Sequence, residues 1–198
     1  GTGRGREGGG VGLRPGRVAD EGDMDARYRY ASDPLIGPSA AWPVHRSRED
    51  SAQAIRGVLS EPETYAVVLK ARREPVGSIG LKPLSAIIDP SEEENRDALE
   101  IGYCIGSSYW GRGLIPEAAR ALLRHAFLDL GMQSVWGTHD VANVQSSRVM
   151  DKLGMGVVRT RGHVHLALLG DIYRDETIRR ITVEQWSRDT RSRAAETV

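Results

Sequence analysis

The chain carries one cysteine, Cys104, among its 198 residues, so no disulfide can close within it, and a lone thiol fits a reducing compartment. Lysine is scarce: only Lys70, Lys82 and Lys152 stand among the 27 basic residues. Those 27 are matched by 27 acidic residues, which removes the net field that draws a chain to nucleic acid or to a membrane surface. No apolar run nears the roughly 18 residues that span a bilayer, and no signal-peptide pattern is visible. These absences predict a cytoplasmic protein with neither nucleic acid nor membrane among its partners.

What remains is ordinary for one globular domain: 39% apolar and 27% charged residues. Residues 1–10 are mostly glycine with scattered arginine, and they read as a flexible leader rather than an RNA-binding tail. A single domain is expected over 11–187, followed by a polar C-terminal tail over 188–198. Within the domain a short strand is expected at Val11 to Pro15 and a helix at Asp20 to Tyr30, ended by Ser32-Asp33-Pro34. A loop holding Trp42 and His45 follows, and Ser47 then caps a second helix reaching about Leu59. Thr64 to Lys70 and Val76 to Leu81 read as strands joined by a turn at Glu74-Pro75. Ser85 to Arg96, with its Glu92-Glu93-Glu94 run, reads as an exposed excursion.

Ala98 to Gly106 alternates, with Leu99, Ile101, Tyr103 and Ile105 on one face and Glu100, Gly102 and Cys104 on the other. The clearest helix follows, its apolar stripe running from Ile115 to Leu130, with Pro116 in the first turn and Gly131 at the stop. Ser134 to His139 is a short strand, and Asn143 caps a helix ending at Gly154. Strands at about Val157 to Leu169 and Glu176 to Val183 close the order. His139, His163 and His165 lack metal-ligand spacing with acids or cysteine, so no metal is expected.

The junction between the Ala98 strand and the Ile115 helix carries the chemical information. Its loop, Tyr109-Trp110-Gly111-Arg112-Gly113, opens a helix, and helix starts present unpaired N–H groups and partial positive charge. Glycines at 111 and 113 let an anion approach the backbone, with Arg112 at the rim. A Gly-x-Gly before a helix is equally a plain tight turn. Pro116 breaks the dinucleotide fingerprint, and no Gly-Lys-Ser/Thr follows for a P-loop.

The stretch from Glu100 through Gly106 and Tyr109 to Ala118 resembles the acetyl-CoA motif of the GCN5-related N-acetyltransferases (GNAT). Asn143-x-x-Ser146-x-x-Val149-x-x-Lys152-Leu153-Gly154 resembles the next motif of the RimJ/RimL-type branch. The resemblance spans about Leu13 to Trp186. It implies a GNAT fold of the α/β (α+β) class: a mixed, mostly antiparallel sheet of six to seven strands, splayed between strands 4 and 5, with about four helices. It also implies acetyl-CoA as cosubstrate and an amine acceptor, and dimerisation to a homodimer is common in such proteins. The pantetheine arm would pair beside Cys104, Ile105 and Gly106, and the pyrophosphate would lie on the amides of Trp110, Gly111, Arg112, Gly113, Leu114 and Ile115. Asn143 would bond the pantetheine. Family loops often begin with Arg or Gln where Ser108 stands here, a side chain this branch commonly lacks.

By the same resemblance Glu100 takes the position of a base and Ser146 that of an acid; the alternatives are a carboxylate paired with an arginine and a helix-start hydroxyl bonded to backbone. Five extended residues, roughly 16 Å, separate Glu100 from Ile105, so Glu100 would act through water. Backbone N–H groups near Ile105 would hold an oxyanion. Trp42 and His45 lie in the segment that lines the acceptor side. A catalytically silent CoA-binding sensor would show the same loop and helix.

Overall fold

A computed structural model describes residues 10–15 and 21–196, and the expectation of a flexible leader over 1–9 lies outside the described residues. Among these residues seven strands form one sheet: β1 (Val11–Pro15), β2 (Thr64–Leu69), β3 (Glu74–Lys82), β4 (Ala98–Ile105), β5 (Ser134–Asp140), β6 (Gly156–His165) and β7 (Tyr173–Thr182). Their spatial order is β1-β2-β3-β4-β5-β7-β6. Every neighbouring pair is antiparallel except β4 and β5. Among the described residues five α-helices flank the sheet: α1 (Glu21–Ala31), α2 (Arg48–Arg56), α3 (Leu114–Leu128), α4 (Val144–Lys152) and α5 (Val183–Glu196). No helix among the described residues is long and apolar enough to cross a membrane.

The parallel pair is short. β4 and β5 share register only over Ala98↔Ser134, Leu99↔Val135 and Glu100↔Trp136. Beyond Glu100, β4 stays paired with β3 as far as Ile105, and β5 stays paired with β7 as far as Asp140. The two strands therefore part, and the sheet opens at its centre.

The largest apolar cluster joins the inner face of α3 (Ala118, Ala119, Leu122, Leu123, Ala126) to Val67, Val76, Ile79, Ile101, Ile105 and Val135 of the sheet. A smaller one joins Tyr30, Ala31 and Ile36 to Cys104. On the other face of β4, Glu100 and Cys104 are buried too, 3% and 9% exposed, while Gly102 between them is exposed. Alternation along β4 separates two largely covered faces rather than a core from solvent.

The structure shifts several sequence-based boundaries. The β2–β3 turn lies at residues 70–73, with Arg73 at φ 54°, so Glu74 and Pro75 already belong to β3. Ser47 does cap α2, in a reciprocal box with Asp50, but the helix stops at Gly57 and a short 3-10 turn, Val58–Ser60, follows. α5 occupies the stretch expected to be a polar tail. Trp186 docks it on α3, its ring 5.3 Å from that of Phe127. The segment 85–96 is the largely exposed excursion expected, and one buried residue seats it. Ile88 is fully buried with Ala98, Trp136 and Ile178, and Arg159 clamps the segment through Glu94 at 2.8 Å and the Ile88 carbonyl at 2.7 Å. The hydrogen bond from Arg159 and the amide of Ser91 hold the Glu94 carboxyl below its ordinary range.

His125 ties the end of α3 to the chain before β2. Its ring nitrogens lie 2.7 Å from Asp129 and 3.0 Å from Glu63. The Asp129 bond, with Glu63, raises its pKa above 6.5. A raised folded-state value adds stability that is complete below the unfolded pKa and fades as pH rises through the folded one. His125→Ala is therefore expected to cost more stability at pH 6 than at pH 8.5. Paired urea titrations that show an equal cost at both would refute this.

Candidate active site

Where β4 and β5 part, a cavity opens. Its walls come from four elements: Tyr103, Cys104 and Ile105 of β4; Tyr109, Trp110 and Gly111 of the loop; Gly113 to Pro116 at the start of α3; and Asn143, Ser146 and Val149 on α4. The segment after α1 supplies Ile36, Ser39 and Ala40 on the far side.

The loop takes its shape from its glycines. Gly111 and Gly113 have φ of 72° and 73°, a left-handed backbone that a β-carbon disfavours. Gly113 is the N-cap of α3 and offers no side-chain cap. Pro116 has no N–H to satisfy, so Leu114 and Ile115 are left as helix-start donors without an intrahelical partner. Those amides, at the positive end of the helix, form a cradle for an anion. Around it, the Trp110 indole Nε1 donates to the Ile105 carbonyl at 3.2 Å, and the Ser107 hydroxyl donates to Asp33 after α1. The Arg112 guanidinium lies over the Tyr109 ring, 5.2 Å from its centroid.

On the α4 side, Asn143 caps the helix: its Oδ1 accepts the Ser146 amide at 3.0 Å. The Tyr103 hydroxyl donates to the Ser146 carbonyl at 3.4 Å. Burial pushes the Tyr103 pKa up to about 12, so its hydroxyl stays protonated at neutral pH and can serve as a hydrogen-bond donor.

Nine of the residues singled out in the sequence line this one cavity: Cys104, Ile105, Trp110, Gly111, Gly113, Leu114, Ile115, Asn143 and Ser146. Gly106 and Arg112 adjoin it without lining it. Glu100 lies apart, on the face of β4 opposite α3. Its Oε2 accepts the Ser85 amide at 2.8 Å and its Oε1 stands 3.9 Å from Lys82 Nζ. Its partners are thus an amide and a lysine, not an arginine. Trp42 and His45 are also outside the cavity. The Trp42 ring packs with Tyr30, Ile36 and Cys104, and His45 pairs through Nδ1 with Ser51 Oγ at 2.8 Å. Burial, followed by the charge of Arg27, lowers the His45 pKa. Tyr103 and Gln145 are cavity residues that the sequence did not mark; period-two alternation gave Tyr103 an inward position but not the gap it faces.

A family model described as an acetyltransferase (GNAT) domain matches residues 11–156. The chain belongs to the GNAT acetyltransferase family. Among curated relatives, YnaD of Bacillus subtilis, an uncharacterized N-acetyltransferase, is 32% identical over 83% of this chain and 91% of its own length. YkkB of Bacillus subtilis is 37% identical over 37% of this chain. The FsC-acetyl coenzyme A-N(2)-transacetylase of Aspergillus fumigatus is 31% identical over 60% of it. The chain spans 42% and 50% of those two relatives, about half their length.

Solved structures share the GNAT fold. A GNAT acetyltransferase from Bacillus anthracis superposes with a TM-score of 0.73 at 22% identity, covering 88% of this chain and 95% of that one. RimJ of Mycobacterium smegmatis, solved in complex with CoA-disulfide, gives 0.65 at 21% identity, over 88% and 83%. In this GNAT domain Ser108 sits inside the 3-10 turn Ser107–Tyr109.

Proposed function

We propose that this protein is an acetyl-CoA-dependent N-acetyltransferase that moves the acetyl group to a primary amine by direct attack within a ternary complex. The observation that carries this reading is the uncapped, left-handed Gly111–Gly113 loop at the head of α3, beside the free edge of β4. Amides of Leu114 and Ile115 bind the pyrophosphate, the β4 edge at Cys104 to Gly106 holds the pantetheine arm, and Asn143 orients it. The donor supplies an activated thioester; the chain supplies position, hydrogen bonds and proton transfer. The fungal relative's name, which joins acetyl coenzyme A to a nitrogen acceptor, supports the donor and the type of bond made. The spacing Asn143, Ser146, Val149, Lys152-Leu153-Gly154 on α4 supports the RimJ/RimL-type branch. The single, buried thiol of Cys104 fits a cytoplasmic setting.

A neutral amine is required, so its proton must leave. Glu100, on the β4 face opposite α3, takes it up through water. Backbone N–H groups near Ile105 hold the oxyanion, and Ser146, with the protonated Tyr103 beside it, donates to the departing thiolate. Trp42 and His45 shape the acceptor side.

Incubation with acetyl-CoA and a panel of amines, following free thiol, tests the reading. Thiol release is expected with at least one amine class. Measurable CoA binding with no release for any amine would sink the transferase reading in favour of a silent CoA-binding protein. Glu100→Gln is expected to lower kcat about 100-fold and Ser146→Ala about tenfold, within the range of proton-transfer groups. Each should leave KM for acetyl-CoA within a factor of about three; unchanged kcat would remove the role from that residue.

A further inference from the structure

The cavity between β4 and β5 passes through the sheet. Tyr103 and Ile105 of β4 belong to the cluster under α3, whereas Cys104 and Ile36 pack together on the opposite face. All four line the one cavity. The helix-start amides of Leu114 and Ile115 and the Asn143 side chain stand on the first side, which is therefore the donor's. The second side is left to the acceptor. Its wall is the segment after α1, where Leu35, Ile36, Ser39 and Ala40 line the cavity.

Among the described residues that line the cavity, none is charged. The charged groups adjoining the acceptor wall are engaged elsewhere. Asp33 Oδ1 accepts the Leu35 amide at 2.9 Å, and its Oδ2 accepts the Ser107 hydroxyl. Arg174 Nε donates to Glu176 Oε1 at 2.6 Å, and its Nη1 and Nη2 donate to the Pro38 and Ser39 carbonyls at 2.9 and 3.4 Å. Asp140 Oδ1 accepts the Ala142 amide at 2.8 Å, and its Oδ2 stands 3.9 Å from Arg174 Nη1. The Ser39 hydroxyl is taken as well, donating to the Leu35 carbonyl at 2.9 Å. What the wall offers is hydrocarbon: the Leu35 side chain, 56% exposed, and the Ala40 methyl, with Ile36 buried behind them.

An apolar group laid on that wall leaves water together with the Leu35 side chain, which favours binding. A second ammonium, or a carboxylate, would leave water there and meet no counter-charge, which is costly. Glu100, bonded to the Ser85 amide, is outside the cavity and offers a distal charge no partner. We infer that the acceptor carries an uncharged, apolar group beside its reacting nitrogen, as an alkylamine or arylalkylamine does, and that the wall from Leu35 to Ala40 selects it over diamines and amino acids. This rests on the transferase reading above and names the class of amine that reading leaves open.

Two pairs of amines test this: pentylamine against cadaverine, which adds an ammonium, and phenethylamine against phenylalanine, which adds a carboxylate. In the thiol assay the apolar member of each pair is expected to have a kcat/KM about 100-fold higher. The same four amines, joined to the CoA sulfur through an acetyl bridge, give conjugates for titration calorimetry, and the apolar-tailed ones should bind about tenfold more tightly. Leu35→Asp, at an exposed position, should narrow the gap between pentylamine and cadaverine about tenfold and widen that between phenethylamine and phenylalanine, with KM for acetyl-CoA unchanged. The wild-type comparison stands even if that variant does not fold, and a folded variant with both gaps unaltered would overturn the assignment to this wall. Charged members of either pair that bind and react as well as their apolar partners would overturn the apolar wall and leave the transferase intact. Apolar-tailed conjugates bound more tightly, with no thiol released by any amine, would keep the wall and sink the transferase. Equal affinities with no turnover would overturn both.

Discussion

Gly77→Ala is expected to destabilise the protein by about 3 kcal/mol and to abolish measurable acetyl-CoA binding. Gly77 pairs with Ile105 at the end of the β3–β4 ladder. A β-carbon placed on it would overlap the Cys104 carbonyl oxygen and come within 2.9 Å of the Ile105 Cα. Both obstacles are backbone, so no rotamer change relieves them; β4 itself must move away from β3. The neighbouring bond from the Gly106 amide to the Val76 carbonyl, 2.9 Å long, would go with it. Overpacked interiors cost about 1–3 kcal/mol, and a rigid obstacle belongs at the upper end. In a domain of this size that is a fall in Tm of roughly 6–12 °C. The displaced atoms, Cys104 to Gly106, are those proposed to hold the pantetheine arm, so loss of affinity should exceed the loss of stability. Thermal melts and calorimetric titration with CoA check the two separately. A variant that melts within 2 °C of the wild type and binds CoA normally would show that β4 has room to give.

The Gly77 contact also marks where the sequence stops being legible. The order of elements, the α3 stripe and the Gly111–Gly113 loop are written locally: a 3.6 period, a proline in the first turn and two glycines before it determine them. The cavity residues from Cys104 to Ile115 and at Asn143 and Ser146 follow from that local grammar with the family motif. What local pattern does not carry is which segments meet from a distance. Segment 85–96 reads as polar because of its three glutamates, yet Ile88 is the residue that seats it, through Trp136 and Ile178 some 50 to 90 positions away in sequence. Glu100 reads as a base or as a carboxylate paired with an arginine, and only the folded chain brings the Ser85 amide to it.

Arg179 is the other long-range junction, and Arg179→Met is expected to cost about 3 kcal/mol at pH 7.5. The side chain is 7% exposed and fans out to three elements. Its Nε donates to His139 Nε2 on β5 at 3.1 Å, its Nη1 to Asp151 at 2.6 Å and to the Met155 carbonyl at 3.1 Å, and its Nη2 to Ser147 Oγ at 2.8 Å. Methionine fills the volume but donates nothing. Asp151 is largely solvent-exposed and recovers with water, whereas His139 and the Met155 carbonyl are left buried without a donor, at about 1–3 kcal/mol each. α4 loses its tie to the sheet, so the Asn143 and Ser146 wall of the donor cavity should loosen, raising KM for acetyl-CoA.

The pH dependence gives this prediction a second, sharper readout. Burial, with Arg179 contributing, lowers the His139 pKa, while a bond to the Asp140 carbonyl opposes it. A histidine whose folded pKa is depressed costs nothing while both states are neutral. Stability is lost as pH falls from the unfolded value near 6.5 through the folded one, because the unfolded chain takes up the proton first. Removing the Arg179 charge lets folded His139 protonate more readily, so the variant should lose less stability over that interval than the wild type. The gap between them is expected to narrow as pH falls from 7.5 to 5. His125 and His45 titrate in the same range, but their surroundings are the same in both proteins, so they cancel in the difference. Urea titrations at both pH values decide it: a gap that stays constant or widens would mean that Arg179 acts on stability without acting on His139.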